Sequence, residues 1–155
     1  MATGAIVVLN PLAQIQKARD ATRKSDLSQI QKALETYYQD QGRYPEYEFS
    51  PPNYFIKTAD ANDSIKEWGT DWLPYMSTLP KDPSSPSRRY IYYSSNDGQT
   101  YYIYASLDRG ASDPQACTGA NNNNACPGPS GGSIDMQNAC GSRCNYGVTS
   151  PNVSP

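Results

Sequence analysis

The spacing of apolar residues in the first third of the chain predicts one long helix, from Pro11 to Gln41. Apolar residues recur there every three or four positions, which places them on one face of a helix. That stripe consists of Leu27, Ile30, Leu34 and Tyr37 or Tyr38. Asn10 is a candidate N-cap, and Gly42 suits the end of the helix. The stripe indicates that the second half of this helix covers a domain core.

The half of the helix before Leu27 has little to bury. In the segment QIQKARDATRKSD only Ile15 and small alanines are apolar, so we expect this half to project from the domain. An alternative is a helix that already begins at Gly4 and is kinked at Pro11. The apolar run from Ala5 to Leu9 is far shorter than the roughly 20 residues that span a bilayer.

Aromatic-rich segments near the middle of the chain predict a small antiparallel sheet. The segments YIYYSS (Tyr90 to Ser95) and TYYIYAS (Thr100 to Ser106) flank Asn96-Asp97-Gly98, a strong signal for a tight turn. A third strand is predicted from Asn145 to Ser150. Between Glu46 and Pro86 the prolines indicate irregular chain, with a short helix over residues 60–68.

Length, charge and residue types restrict the class of protein. A chain of 155 residues fits one domain, which we divide into the N-terminal helix at residues 1–41 and a globular part at residues 42–155. A net charge of −2 argues against nucleic acid as a partner. The chain has no His, the commonest general base, which argues against a hydrolase.

The four cysteines indicate an oxidising compartment and a loop closed by disulfides. Their short separations favour Cys117 with Cys126 and Cys140 with Cys144 over the two other connectivities. A zinc site made of all four is the alternative, although intervals of eight and three residues are not the usual spacing of zinc ligands. The loop that they would close is rich in Gly, Asn and Ser.

Several segments in order resemble the type IV pilin-like proteins, and most closely the major pseudopilins of type II secretion. These segments are ARDATRKSDLSQIQKALETYYQDQGRYP, WLPYMSTLPKDP, the Tyr-rich hairpin and the terminal NYGVTSPN. The resemblance covers nearly the whole chain apart from the Cys-rich loop. It implies an α+β pilin-like fold, in which the long N-terminal helix packs on a three-stranded antiparallel sheet and a disulfide-stapled loop follows.

The resemblance also implies a structural role without catalysis. The protein would be processed at the inner membrane, extracted by an assembly machine and stacked with copies of itself and other pilins into a periplasmic or extracellular filament. Members of the family begin with a Gly-Phe junction, a glutamate and a continuous apolar half-helix, which this chain lacks. We therefore expect a soluble, N-terminally truncated form whose membrane segment is missing, with the run from Ala5 to Leu9 as its last trace.

Two sets of residues follow from this comparison as candidate sites. The charged helix segment, Lys17, Arg19, Asp20, Arg23 and Lys24, would contact neighbouring subunits; a solvated helix face with local ion pairs is the alternative. Major pseudopilins hold calcium in the loop after the second sheet strand, and SLDRGASD occupies the equivalent place. The implied calcium ligands are Asp108, Ser112 and Asp113, against an ordinary Asp-rich turn.

A second function remains open at this point. A minor or tip-located pilin, or an adhesin-type module, would use the loop from Asp108 to Cys144 to contact a surface, a glycan or DNA. Specific binding by the isolated domain, or a filament that forms without this subunit, would distinguish that role from a filament subunit.

Overall fold

One long helix, α1, spans Pro11–Gln41 and forms the first layer of the fold. The side chain of Asn10 accepts a hydrogen bond from the N–H of Ala13, and Gly42 closes the helix in the left-handed conformation that glycine adopts without strain. Both ends therefore lie where the sequence predicts them. The computed structural model describes residues 10–59, 64–118, 124–131 and 134–155, so an extension of α1 before Asn10 lies outside the described residues.

Six strands within the described ranges form the second layer, a mixed sheet. They are β1 (Glu46–Ser50), β2 (Asn53–Lys57), β3 (Ile65–Lys66), β4 (Ile91–Ser94), β5 (Tyr101–Ala105) and β6 (Tyr146–Thr149). The strand order is β1-β2-β4-β5-β6, and β3 pairs with β2. Neighbouring strands are antiparallel except β2 and β4, which run parallel.

The expected three-stranded antiparallel sheet is wrong in size and in type. Its three strands correspond to β4, β5 and β6, and the sequence reading missed β1, β2 and β3. The prolines of this region predict irregular chain, but Pro51 and Pro52 lie in the turn between β1 and β2. The predicted short helix is also wrong at Ile65–Lys66, whose residues pair with β2. Its first residues, 60–63, lie outside the described ranges.

The main core lies between α1 and one face of the sheet. The predicted helix stripe is buried, with Leu27, Ile30 and Leu34 fully inaccessible to solvent. These side chains pack in one cluster with Trp72, Leu79 and strand residues such as Ile103. Removing this much apolar surface from water is the largest favourable contribution to folding, and it fixes the second half of α1 on the sheet.

A second core covers the opposite face of the sheet. The aromatic strand residues Tyr102 and Tyr104 pack there against Ile134 and Met136. The structure contains the disulfides Cys117–Cys126 and Cys140–Cys144, and Cys126, Cys140 and Cys144 belong to the same cluster. Because all four cysteines form disulfides, none is free to bind zinc. The Cys-rich segment is therefore a packed layer of the fold.

Within the ranges that the structure covers, no helix is both long enough and apolar enough to cross a membrane.

Candidate functional site

A buried arginine near the middle of α1 joins the helix to two loops. The guanidinium of Arg23 is fully inaccessible to solvent. Its Nε and Nη2 donate to the carboxylate of Asp82 at 2.9 and 3.1 Å, and its Nη1 donates to Asp20 at 2.9 Å and to Asp108 at 3.0 Å. A further bond runs from Nη2 to the hydroxyl of Ser84. We call Arg23, Asp20, Asp82 and Asp108 the buried charge cluster.

The charges of this cluster depend on one another. Burial alone would lower the pKa of Arg23, but hydrogen bonds and the charges of Asp82 and Asp108 outweigh it and raise that pKa above its ordinary value. The guanidinium therefore stays charged. A buried charge is tolerated only when it is paired and hydrogen-bonded, so the three carboxylates and the arginine hold each other in place.

Asp20 extends the cluster to the backbone after β5. Its carboxylate accepts the N–H of Asp108 at 2.7 Å and the N–H of Arg109 at 2.9 Å. Arg88 approaches Asp108 from the other side at 3.1 Å and donates to the carbonyl of Ser106 at 2.8 Å. The loop that follows β5 is therefore fixed to α1 by hydrogen bonds to both its side chains and its backbone.

Lys24 forms a second, more exposed connection to the same loop. Its Nζ lies 2.8 and 2.7 Å from the two carboxylate oxygens of Asp113 and 2.8 Å from the amide oxygen of Gln115. Burial alone would raise the pKa of Asp113, but the bond from Lys24, a backbone N–H and nearby positive charge together lower it. This carboxyl is therefore ionised at neutral pH and bound to Lys24.

An open surface pocket of about 240 Å³ separates α1 from the loop at residues 109–114. Lys17, Lys24 and Arg109 line it together with Asp20 and Asp113. Since the two acids are already bound, the excess positive charge comes from Lys17 and Arg109. This edge of the subunit is consequently basic, although the whole chain carries a net charge of −2.

The structure divides the predicted subunit-contact residues into two groups. Asp20 and Arg23 are buried and make their pairs inside the chain. Lys17 and Arg19 are exposed, and Lys24 is partly exposed while bound to Asp113. A role in subunit contacts stays a prediction, and the exposed residues are the ones available for it.

The predicted calcium ligands face cations of the chain itself. The carboxylate of Asp108 binds Arg23 and Arg88, and that of Asp113 binds Lys24. The hydroxyl of Ser112 donates to a backbone carbonyl at 3.2 Å. Within the described residues, no group of three or more His, Cys, Asp or Glu side chains is arranged to hold a metal ion. Calcium binding stays a prediction, and it would require Lys24 or the arginines to leave these carboxylates.

The sequence reading missed Asp82 and Arg88. Asp82 lies 59 positions from Arg23, and no local spacing connects residues so far apart. The only local signal was at Asp20 and Arg23, whose three-residue spacing places them on one helix face. Because charged residues are mostly exposed, such spacing favours a solvated helix face or a contact with neighbouring subunits, and it does not indicate a buried cluster.

Comparison with known proteins assigns the chain to a family. The family model described as type II secretion system (T2SS), protein G, matches residues 10–123. The chain belongs to this family. The match covers α1, β1 to β5 and the buried charge cluster, so this pseudopilin is a structural component of a type II secretion system and not an enzyme. No match was found among curated proteins or among solved structures.

Removing the central charge of the pseudopilin should cost much of its stability. Replacing Arg23→Met leaves the buried carboxylates of Asp20 and Asp82 without their counter-ion, while Asp108 keeps Arg88. Breaking a buried ion pair from one side typically costs about 3 to 5 kcal/mol. The free energy of unfolding, measured by urea denaturation with both disulfides intact, should fall by that amount. Arg19→Met, on the exposed face of the same helix, should change it by less than about 0.5 kcal/mol. Equal stability of the two variants would contradict the structural role of the cluster.

The link between Lys24 and Asp113 should be visible in a pH titration. Because the pKa of Asp113 is lowered in the folded pseudopilin, its contribution to stability is present above the ordinary Asp range and is lost as the pH falls through the folded pKa. Lys24→Gln should move the Asp113 titration, followed by the carboxyl carbon chemical shift, to higher pH. Lys32→Gln is the control and should leave it unchanged. An unaltered titration in Lys24→Gln would show that Lys24 does not set this pKa.

Proposed function

We propose that this pseudopilin polymerises through α1 into the periplasmic filament of a type II secretion system. The observation that carries the proposal is the exposed first part of α1. None of its residues from Pro11 to Arg19 is buried, and Leu12 and Ile15 are 59% and 49% exposed. These nine residues extend the helix by roughly 13 Å at 1.5 Å per residue. A helix segment that exposes Leu12 and Ile15 gains stability when these side chains pack among helices of other subunits.

Charge supports an ordered stack of subunits. The basic edge around Lys17 and Arg109 lies near the start of α1. Exposed Asp40 lies at the end of α1. The exposed turn at Asp97 lies nearby, because the carbonyl of Gly98 accepts a hydrogen bond from a backbone N–H that follows the helix. Neighbouring subunits that face each other with opposite charges would align specifically, since partly desolvated pairs discriminate better than exposed ones.

The buried charge cluster contributes by making the subunit rigid. It fixes the loop after β5 against α1, so the basic edge keeps its position relative to the helix. The partners in this proposal are copies of the chain, other pseudopilins and the inner-membrane assembly machinery. The subunit would be anchored in the inner membrane before assembly and periplasmic afterwards.

A second candidate role is that of a minor or tip subunit that binds a ligand. The observation in its favour is a polar groove of about 640 Å³ between the loop after β5 and the Cys-rich segment. Side-chain amides and a cation, Gln137, Asn138 and Arg143, line this groove. Such groups can hydrogen-bond a polar ligand, but none of the described residues that line the groove is aromatic.

Reversing one exposed charge should impair assembly without unfolding the subunit. In the host that encodes the protein, Lys17→Glu should reduce both the filament recovered by shearing and the exported proteins in the medium, severalfold relative to the wild type. The reason is that an acidic residue at the basic edge would repel the acidic end of a neighbour.

The matched control is Lys32→Glu, which makes the same change at another exposed position of α1. Both variants should unfold at the wild-type urea concentration, and the control should secrete normally. Normal secretion after deletion of the whole gene would contradict the proposed function. Filaments that still form after deletion, with loss of a specific binding activity, would favour the tip role.

A further inference from the structure

A cleft with both apolar and basic lining lies beside the buried charge cluster, since Asp82 and Arg88 are among its lining residues. It has a volume of about 360 Å³ and is bordered by β2, the turn that contains Trp68, and the segment at residues 81–90. Pockets of roughly 300 to 1,000 Å³ are typical of ligand sites. This volume would accommodate one or two amino-acid side chains.

The floor of the cleft is aromatic. Trp68 and Tyr90 meet edge to face at a centroid distance of 5.9 Å, and Phe55 lies beside them, half-buried. Pro52 and Pro86 add apolar surface at the exposed rim. Trp68 and Tyr90 are more than nine-tenths buried. They therefore form a packed floor of the cleft, and their ring faces are not exposed.

Two basic groups of the cleft differ from other cations near α1 in whether a carboxylate of the chain binds them. Arg23, Lys24 and Arg88 each bind a carboxylate of the chain. In contrast, neither Arg89 nor Lys81 has a carboxylate partner among the residues that the structure describes. Arg89 is half-buried, and its side-chain hydrogen bond to the described residues runs from Nη1 to a backbone carbonyl at 3.2 Å.

The acids that line the cleft do not balance these charges. Asp82 is bound to Arg23, which leaves Glu67 at the exposed rim as the only unbound acid among the described residues of the lining. Arg89 and Lys81 together therefore give the cleft an excess of one positive charge. A partly desolvated guanidinium forms strong, charge-assisted hydrogen bonds to a carboxylate.

We propose that this cleft binds a peptide carboxylate next to an apolar side chain, with the carboxylate on Arg89 and Lys81 and the side chain on the aromatic floor. An acidic sugar fits less well, because sugars stack on exposed aromatic faces and the cleft does not present one. The site goes beyond the proposed filament role, since neither α1 nor its basic edge takes part. The peptide belongs to a partner protein and not to a second copy of the chain.

Two tryptophans allow a direct test by NMR. Trp68 lies in the cleft, whereas Trp72 is buried in the main core and does not line it. Titration of the whole 15N-labelled chain with N-acetylphenylalanine should shift the indole N–H signal of Trp68 and leave that of Trp72 in place. We expect a Kd on the order of 1 mM for a probe of this size. N-acetylphenylalanine amide, which lacks the charge, should bind at least fivefold more weakly.

Single substitutions test whether Lys81 and Arg89 bind the carboxylate. Lys81→Gln and Arg89→Gln should each weaken binding of the acid at least threefold, and Lys32→Gln, an exposed lysine on α1, should not change it. Arg89→Gln also removes a bond to the backbone, so Lys81→Gln decides the matter if that variant fails to fold. Equal binding of acid and amide, no shift of Trp68 at 20-fold the expected Kd, or unchanged binding in Lys81→Gln would overturn the proposal.

Two further measurements separate the sources of the ligand. Dilution of the protein alone should leave the Trp68 signal unchanged, because the peptide belongs to another protein. A shift on dilution would show that a second copy supplies the carboxylate and would contradict this source. Tighter binding of glucuronate than of N-acetylphenylalanine would contradict a peptide ligand.

Discussion

The buried guanidinium of Arg23 is the constraint on which the surface of this subunit depends. A charge without access to water must be paired, and here the carboxylates come from α1, from the loop before β4 and from the loop after β5. Arg23 can satisfy all three only if both loops lie against the helix. The apolar cores hold α1 and the sheet together. The charge cluster determines where the loop before β4 and the loop after β5 lie against the helix.

This arrangement divides α1 into parts with different roles. From Leu27 onward the helix buries an apolar stripe on the sheet, whereas the residues before Asp20 are not buried by this chain. The charge cluster lies at the boundary between the two. On the far face of the sheet the disulfides hold the Cys-rich segment as a second core. A rigid body with an exposed first helix segment is what the proposed filament role requires.

Local chemistry made the ends of α1 and the strands β4 to β6 predictable from sequence. Asn10, Gly42 and the turn at Asn96-Asp97-Gly98 act on their immediate neighbours, so their effects can be read from a short window. The hairpin of β1 and β2 was not predicted, because Pro51 and Pro52 indicate irregular chain and outweigh the alternation of side chains on either side of them. Asp82 was missed for a different reason. Its pairing with Arg23 is a product of the folded topology, and a single sequence carries no signal for it.

Native-state hydrogen exchange of two backbone amides tests the role of the charge cluster most directly. The N–H groups of Asp108 and Arg109 donate to the buried carboxylate of Asp20, although they lie in a loop. If the cluster fixes this loop, their opening free energies should lie within about 1 kcal/mol of those of the amides in β5. Exchange of these two amides at the rate of an exposed loop, while β5 remains protected, would contradict the account.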